Sequence, residues 1–224
     1  MQEMSDTDLN YLFNLLEKKN IPIIHPRKHS YIMHQGIESE YIYILKKGVA
    51  KLSNILRDGR EFSTFYVTDT DFVSLLESKD RGNINTSFFS VRVETGDTYF
   101  YKVPRKKLDE WVNEDNCLSN IIGNFYKRRL IHNIEVHKRM SVNGKKGAVY
   151  ACLSIMVEYF GIKKTEGILI DFKLTNDDIA GFCGISTRNS VNRILHDLKE
   201  DGIIKIVDKK ILITNFEFLE DYNK

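Results

Sequence analysis

Four polar side chains able to make paired hydrogen bonds are concentrated in the segment GISTRNSVNRILHDL, residues 184–198. They are Arg188, Asn189, Asn192 and Arg193. Arginine can bond O6 and N7 of guanine, and asparagine can bond N6 and N7 of adenine, each through two hydrogen bonds. Apolar residues recur at helical spacing through the same segment: Val191, Ile194, Leu195 and Leu198. The periodicity predicts a helix that buries its apolar side and presents the four polar groups to base edges in DNA.

A short helix and a tight turn are predicted just before this segment. Thr175 can cap a helix because Asp178, three residues later, can bond back to it. Gly184 is suited to end that helix with a turn. Either Ser186 or Thr187 can then cap the next helix.

A predicted hairpin completes the motif. After Gly202, the segment IIKIVDKKILIT forms two apolar runs around a polar turn. Helix, turn, helix and hairpin, in that order, predict a winged helix-turn-helix. Hydroxyl and ammonium groups at helix starts and at the tip of the wing suit phosphate oxygens, which position a protein on DNA without specifying sequence. The predicted phosphate contacts are Thr175, Ser186, Thr187, Ser190, Lys145, Lys146, Lys209 and Lys210.

An ordinary solvated helix is the simpler alternative for residues 184–198, because most exposed arginines only meet water. Charge does not separate the two interpretations, since residues 141–224 contain 12 basic and 12 acidic residues. A DNA-binding surface would therefore have to be a local patch. The turn before the segment and the hairpin after it favour DNA binding.

The N-terminal half is predicted to be an antiparallel β-roll, which places the chain in the α+β class. Residues 5–19 have the periodicity of a short amphipathic helix. From Ile21 to Val103, short runs rich in Tyr, Ile, Val, Phe and Thr alternate with turn residues, among them Gly48 and Gly59. Many short strands at such spacing are typical of an antiparallel roll or barrel.

A long helix is predicted between the two halves, from about Cys117 to Lys138. Its apolar stripe is long enough that it must be buried, either within the chain or against the same helix of a second copy. We favour the second copy, because helices with long apolar stripes readily pair. The predicted dimer contacts are Leu118, Ile121, Ile122, Phe125, Leu130 and Ile134.

A hinge is predicted at SVNGKKG, residues 141–147, because two glycines and an asparagine interrupt the apolar pattern. A mostly apolar helix from Ala148 to Phe160 would follow and end at Gly161. We expect three parts: a sensor domain over residues 1–115, a dimerisation helix over 116–140 and a DNA-binding domain over 141–224.

Composition indicates a soluble protein with reduced thiols. Hydrophobic residues make up 42% of the chain and charged residues 29%, and no apolar run reaches 18 residues. We therefore expect a cytoplasmic protein without a membrane partner. Cys117, Cys152 and Cys183 are separated by 34 and 30 residues, which suits neither a disulfide framework nor an iron–sulfur cluster.

Neither a metal site nor a catalytic site is expected. His25, His29 and His34 lie within ten residues, but no cysteine or carboxylate completes a ligand set, so we expect surface histidines. The chain has no GxSxG, P-loop, HExxH or Cys–His motif. We expect no enzymatic activity.

The segment LTNDDIAGFCGISTRNSVNRILHDLKEDGII resembles the DNA-binding signature of the Crp/Fnr family of bacterial transcription regulators. The resemblance extends over essentially the whole chain and implies a β-roll of the cupin or cyclic-nucleotide-binding type, a dimer helix and a winged domain. It puts Arg188 and Arg193 at the family's base-reading positions, Asn189 in place of the usual glutamate, and Thr187 at a phosphate-contacting position. The extra residue in the turn, together with SVNGKKG and EGILI, is similar to the PrfA-like branch. A homodimer on a palindromic operator, acting through RNA polymerase, is implied.

The resemblance also implies a small-molecule effector near the β-roll and leaves its identity open. The family's cyclic-nucleotide cassette needs a Gly-Glu pair and an Arg-Ser pair, and residues 71–93 contain neither. We expect no cyclic AMP and no iron–sulfur cluster. The glutathione contacts of the PrfA-like branch correspond to Val67 and Thr68, which do not match.

A second interpretation is a ligand-binding or protein-interaction module whose winged domain docks protein instead of DNA. Protein docking would favour exposed apolar residues at the positions of Arg188, Asn189 and Arg193. The polar residues found there favour a sequence-specific DNA-binding regulator.

Overall fold

The computed structural model describes residues 4–74 and 86–221. The chain divides into two units, Gln2–Arg129 and Leu130–Lys224. No helix in the described parts of the chain is long and apolar enough to cross a membrane.

The described part of the first unit forms two antiparallel sheets, which confirms the predicted roll. One has the strand order β1-β7-β3 and the other β2-β6-β4-β5. The strands are β1 (Ile23–Ile24), β2 (Tyr31–Met33), β3 (Tyr41–Lys47), β4 (Ala50–Ile55), β5 (Glu61–Val67), β6 (Ser90–Val93) and β7 (Tyr99–Pro104). Gly48 turns the chain between β3 and β4 with a φ of 97°, and a Cβ there would lie 2.4 Å from Thr98 Oγ1. Only glycine fits this turn without strain.

Three helices pack on the first sheet and divide the apolar residues into two cores. They are α1 (Asp6–Lys18), α2 (Arg105–Glu114) and α3 (Asn116–Ser141), of which α3 continues into the second unit. Residues from both sheets form the inner core: Leu45, Leu52, Phe65, Val91 and Phe100 among others. The helices and the outer side of β3 and β7 form the other: Leu12, Leu16, Ile42, Val103, Leu108 and Trp111 among others.

The position of α3 corrects the predicted dimer stripe. Leu118, Ile121 and Phe125 are buried in the core with Trp111, and Ile122 packs against that core. Leu130 and Ile134 are instead 63% and 60% exposed. The dimer prediction was wrong for the first half of the helix, because apolar periodicity shows that a face is buried but not which element buries it.

A buried charge cluster, Asp71 with Arg128 and Arg129, connects the end of the roll to α3. Asp71 Oδ1 lies 3.3 Å from Arg128 Nη2, and Asp71 Oδ2 lies 3.1 Å from Arg129 Nη2. The Arg129 guanidinium also stacks on Phe65, 4.5 Å from the ring centre. Burial raises the pKa of Asp71 although the two guanidinium groups oppose this shift.

The second unit contains one four-stranded antiparallel sheet with the order β10-β11-β9-β8. Its helices are α4 (Gly144–Phe160), α5 (Asn176–Cys183), α6 (Arg188–Glu200) and α7 (Phe216–Asp221). Its strands are β8 (Gly161–Lys164), β9 (Gly167–Ile170), β10 (Ile204–Val207) and β11 (Lys210–Ile213). The predicted wing, β10 and β11, is therefore the outer half of a larger sheet.

The predicted hinge is shorter than expected. Only residues 142–143 separate α3 from α4, which begins at Gly144 and not at Ala148. Gly147 lies inside α4, where a Cβ would be 2.4 Å from the Val142 carbonyl oxygen. A glycine is thus needed at position 147 because the backbone packs closely there, and not because the chain forms a loop. Gly161 follows α4 with a negative φ and continues directly into β8.

Candidate nucleic-acid interface

The first helix of the motif, α5, begins and ends at the predicted residues. The Thr175 hydroxyl accepts a hydrogen bond from Asp178 N at 3.0 Å, and Thr175 N donates to Asp178 Oδ2 at 3.0 Å, so the capping box is complete. Gly184 follows α5 with a φ of 63°, a left-handed conformation that glycine adopts without strain. Both ends of α5 are therefore set by local chemistry.

The second helix, α6, begins after Thr187 as predicted, but without a side-chain cap to the backbone. The Thr187 hydroxyl instead shares a 2.8 Å hydrogen bond with the Ser190 hydroxyl. Val191, Ile194 and Leu198 are buried, which fixes the rotation of the helix. One of these hydroxyls donates that bond, so the other keeps its hydrogen for a phosphate oxygen at the start of the helix, where phosphate groups commonly bind.

The four predicted base-reading residues divide into two pairs on α6. At about 100° per residue, Asn189 and Arg193 lie opposite the buried side, at the centre of the exposed face. Both are exposed, and among the described residues Arg193 has no ion pair. His196, also exposed, lies on the same face two turns after Asn189 and was not among the predicted contacts.

Arg188 and Asn192 lie on the flank of α6 that is next to α5. Arg188 Nη1 is 3.8 Å from Asp177 Oδ2, with side chains 67% and 69% exposed. Asn192 Oδ1 accepts a hydrogen bond of 3.2 Å from Asn176 Nδ2. The sequence spacing did not reveal these two contacts, because they depend on how the helices cross.

The wing presents one lysine at its tip. Asp208 and Lys209 form the two-residue turn between β10 and β11, with φ values of 50° and 64°. This geometry is typical of a type I′ hairpin turn. Lys209 is exposed at the turn, whereas Lys210 is paired with Asp171 at 2.5 Å. Lys209 is thus better placed than Lys210 to meet a phosphate.

The remaining predicted phosphate contacts differ in availability. Lys145 and Lys146 are exposed in the first turn of α4, and Lys146 Nζ lies 3.9 Å from Asp197 of α6. Ser186 is exposed in the turn before α6. Thr175 is the least available, because its hydroxyl already donates to Asp178 Oδ2 at 2.6 Å.

Thr175→Ala is expected to destabilise the start of α5 by about 1 kcal/mol, the usual cost of losing a capping hydroxyl. Amide hydrogen exchange in α5 should quicken accordingly, as measured by mass spectrometry. Because Thr175 donates no hydrogen bond to DNA in this assignment, the affinity for random duplex DNA should match that of the unaltered protein. A weaker affinity for random DNA, at unchanged salt dependence, would return Thr175 to the phosphate contacts.

The histidines and cysteines do not form a metal site in the described chain. No group of three or more histidine, cysteine or acidic residues there could hold a metal ion. His25 stacks on Tyr99 and bonds the Gly96 carbonyl oxygen, whereas His34 stacks on Tyr31.

Two of the three cysteines meet although they are far apart in sequence. Cys183 donates to the Ala148 carbonyl oxygen at 3.3 Å, one turn before Cys152 on α4. A hydrogen bond with Cys183, and then burial, raise the pKa of the Cys152 thiol well above its usual value. Cys183, the last residue of α5, therefore packs against α4.

The segment that corresponds to the family's cyclic-nucleotide cassette is only partly described by the structure. The segment that would contain it covers residues 71–93, and residues 75–85 lie outside the described residues. The expectation that this chain binds no cyclic AMP thus stays a prediction from sequence. Val67 and Thr68, at the end of β5, are described, and neither offers the tyrosine or lysine group expected for glutathione.

The similarity to known proteins covers the helix-turn-helix motif and also the whole chain. The model of the Crp-like helix-turn-helix domain matches residues 152–222. The lactate racemization regulatory protein of Lactiplantibacillus plantarum is 43% identical over 96% of this chain and 97% of its own length. The chain belongs to the Crp/Fnr family.

Two more distant proteins show the range of this family. The listeriolysin regulatory protein of Listeria monocytogenes is 22% identical over 87% of this chain and 82% of its own length. A transcriptional regulator of the CRP/FNR family from Thermus thermophilus has a solved structure similar to this one, with a TM-score of 0.71 and 16% identity. It covers 90% of this chain and 98% of its own, and it shares the fold.

Family membership and the geometry of α5, α6 and the wing together settle the class of function. This Crp/Fnr protein is a DNA-binding transcription regulator. The alternative of a winged domain that docks only protein is therefore set aside.

Proposed function

We propose that this regulator binds a two-fold symmetric operator as a homodimer and reads each half-site with α6. Asn189 and Arg193 would contact bases at the centre of the helix face, and Arg188 and Asn192 at its flank. Ser186, Thr187, Ser190, Lys145, Lys146 and Lys209 would hold phosphates, with Lys210 adding charge to the wing. The observation that carries the proposal is Arg193, exposed at the centre of α6 and without an ion pair to any described residue.

The second half of α3 supports the dimer. Four apolar side chains are exposed on this helix over less than three turns: Tyr126, Leu130, Ile131 and Ile134. Exposed apolar stripes on a helix are stabilised by pairing with a second apolar surface. A two-fold pair of α3 helices would place two copies of α6 on one face of DNA, about one helical turn apart.

The same proposal keeps three parts along the chain: sensor residues 1–115, dimer helix 116–140 and DNA-binding residues 141–224. We place the protein in the cytoplasm because bacterial DNA is there. Contact with RNA polymerase is part of the proposal, as the usual route to activation in the family. We also propose control by a small-molecule effector other than cyclic AMP, which DNA binding with and without cell metabolites would test.

The branch and the regulated genes belong to the same proposal. Placement in the PrfA-like branch is supported by 22% identity to the listeriolysin regulatory protein, less than the 43% shared with the lactate racemization regulatory protein. The more similar relative makes promoters of lactate racemization genes the first natural targets to test. Footprinting on such promoters would show whether this chain shares that role.

Arg193→Ala is expected to cost about 1–3 kcal/mol in binding free energy at one base pair of each half-site, because a paired hydrogen bond to guanine is lost. Affinity should be measured for the operator, for its single-base variants and for random duplex DNA. The preference at that base pair should disappear while the other positions keep theirs. Equal loss of affinity for operator and random DNA would contradict base reading by Arg193.

Lys209→Ala is the matched control, because it removes one positive charge from the wing and not from α6. It should weaken binding to all sequences alike, and the slope of log K against log salt should fall by about 0.9.

A further inference from the structure

We propose that the first turn of α5 helps to set the base preference of α6: Asp177 acts through Arg188, and Asn176 acts through Asn192. The inference rests on the proposed base-reading role of α6 and identifies two residues outside the predicted contacts. Asp177 and Asn176 would be positioning residues, because they touch the reading side chains and need not touch a base.

The two contacts are held by well-defined elements. Asn176 and Asp177 directly follow Thr175, and the capping box fixes this turn of α5. Arg188 and Asn192 are four residues apart and thus lie one above the other on the same flank of α6. Two consecutive residues at the start of α5 therefore contact two residues that are one turn apart on α6.

The Asp177 contact can orient Arg188 without preventing base contact. A guanidinium has five N–H donors arranged on more than one edge, so a carboxylate on one edge leaves another for O6 and N7 of guanine. Between exposed groups in water such a pair contributes little. Once DNA excludes water from the groove, the same pair is stronger. Its effect should therefore appear in the complex and be small in the free protein.

Asp177 should also weaken binding to every sequence. Its carboxylate would lie beside the DNA backbone, where like charges repel. The presence of Asp177 is explained if it increases the difference in binding free energy between the preferred base pair and the others. The exposed position of Asp177 allows its charge to be removed without opening a core.

The Asn176 contact would bias Asn192 in a related way. Asn192 Oδ1 already accepts the hydrogen bond from Asn176 Nδ2, so the two Nδ2 hydrogens of Asn192 are its available donors. Acceptors on the base edge, such as O6 and N7 of guanine, would then be favoured. Asn176→Ala should reduce the preference at the base pair that Asn192 contacts.

The decisive experiment combines Asp177→Asn with Arg188→Ala in the full-length protein. Affinities would be measured for the selected operator, for every single-base variant and for random duplex DNA. Glu200→Gln is the control, because it also removes one negative charge, at the far end of α6. Thermal unfolding by circular dichroism would verify that each variant is folded.

Asp177→Asn should reduce discrimination about threefold to fivefold at the base pair read by Arg188, the range for a moderately strengthened exposed ion pair. It should also raise affinity for random DNA. In the Arg188→Ala background the same substitution should leave discrimination unchanged, because the residue it acts through is gone. Asp177→Glu should restore part of the preference.

Two results would overturn the inference. Asp177→Asn could behave like Glu200→Gln and change all affinities alike, or it could change discrimination equally with and without Arg188. In either case base reading by Arg188 would still stand if Arg188→Ala alone relaxes one base pair. If Arg188→Ala leaves every preference intact, the proposed reading role of Arg188 fails, and the role of Asp177 fails with it.

Discussion

Replacing both Leu130 and Ile134 with aspartate is expected to disrupt the proposed dimer and leave a monomer. The two side chains are 63% and 60% exposed on α3, one turn apart. In a dimer seam they would be desolvated, and four new carboxylates would then face one another without counter-charges. Because neither residue belongs to a core of the chain, each subunit should stay folded. Sedimentation analysis would measure the change directly.

The affinity for the operator should fall when dimerisation is lost. A dimer engages its second half-site as an intramolecular step, and losing this step lowers affinity by about 100-fold or more. Asn124→Asp is a suitable control, since it adds a negative charge at an exposed position of α3 away from Leu130 and Ile134. A double variant that remains dimeric and binds the operator normally would show that the seam lies elsewhere.

Asp71→Ala is expected to reduce the free energy of unfolding of the first unit by about 3–5 kcal/mol, the usual cost of leaving buried charges without their partner. Asp71 is 5% exposed, and its carboxylate contacts Arg128 and Arg129, which lose their counter-charge together. Burial raises the pKa of Asp71, which indicates that the cluster is costly to desolvate. The expected loss therefore comes from the stranded guanidinium groups and not from a strong net attraction.

Urea unfolding followed by tryptophan fluorescence would test this expectation. Trp111 is the single tryptophan of the chain and lies in the core that contains Phe125 of α3, so it reports on the first unit. Asp69→Ala removes an exposed carboxylate two residues away and should change the midpoint little. If both variants unfold at the same urea concentration, Asp71 does not hold α3 to the roll.

The DNA-binding motif could be predicted well because its signals are local. Thr175 and Asp178 are three residues apart, and their capping box forms within a single turn. Gly184 takes the left-handed conformation that its position after a helix indicates. The buried residues of α6 recur with the period of a helix, and this pattern alone predicts that Arg193 lies on the exposed side. Such features depend on neighbours in sequence and need no knowledge of the fold.

Features that depend on distant residues were missed or placed wrongly. The four residues of β8 are all exposed, so no alternating pattern marked this strand, which exists because β9 pairs with it. The helix α4 begins among glycines because Gly147 packs on the Val142 carbonyl. The apolar stripe of α3 was predicted as one dimer surface, but α1 and α2 cover its first half and leave its second half exposed. The periodicity of the sequence does not show which element covers a stripe. Contacts of Asp177 and Asn176 depend on the crossing of α5 and α6.

The central claim, that α6 reads DNA sequence, is tested most directly by selecting duplexes from random DNA with the full-length protein and with Arg193→Ala in parallel. We predict a two-fold symmetric motif with half-sites about 34–36 Å apart from the unaltered protein. The variant should select the same motif with the preference lost at one base pair in each half. No enriched motif, or an identical motif from both proteins, would contradict the claim.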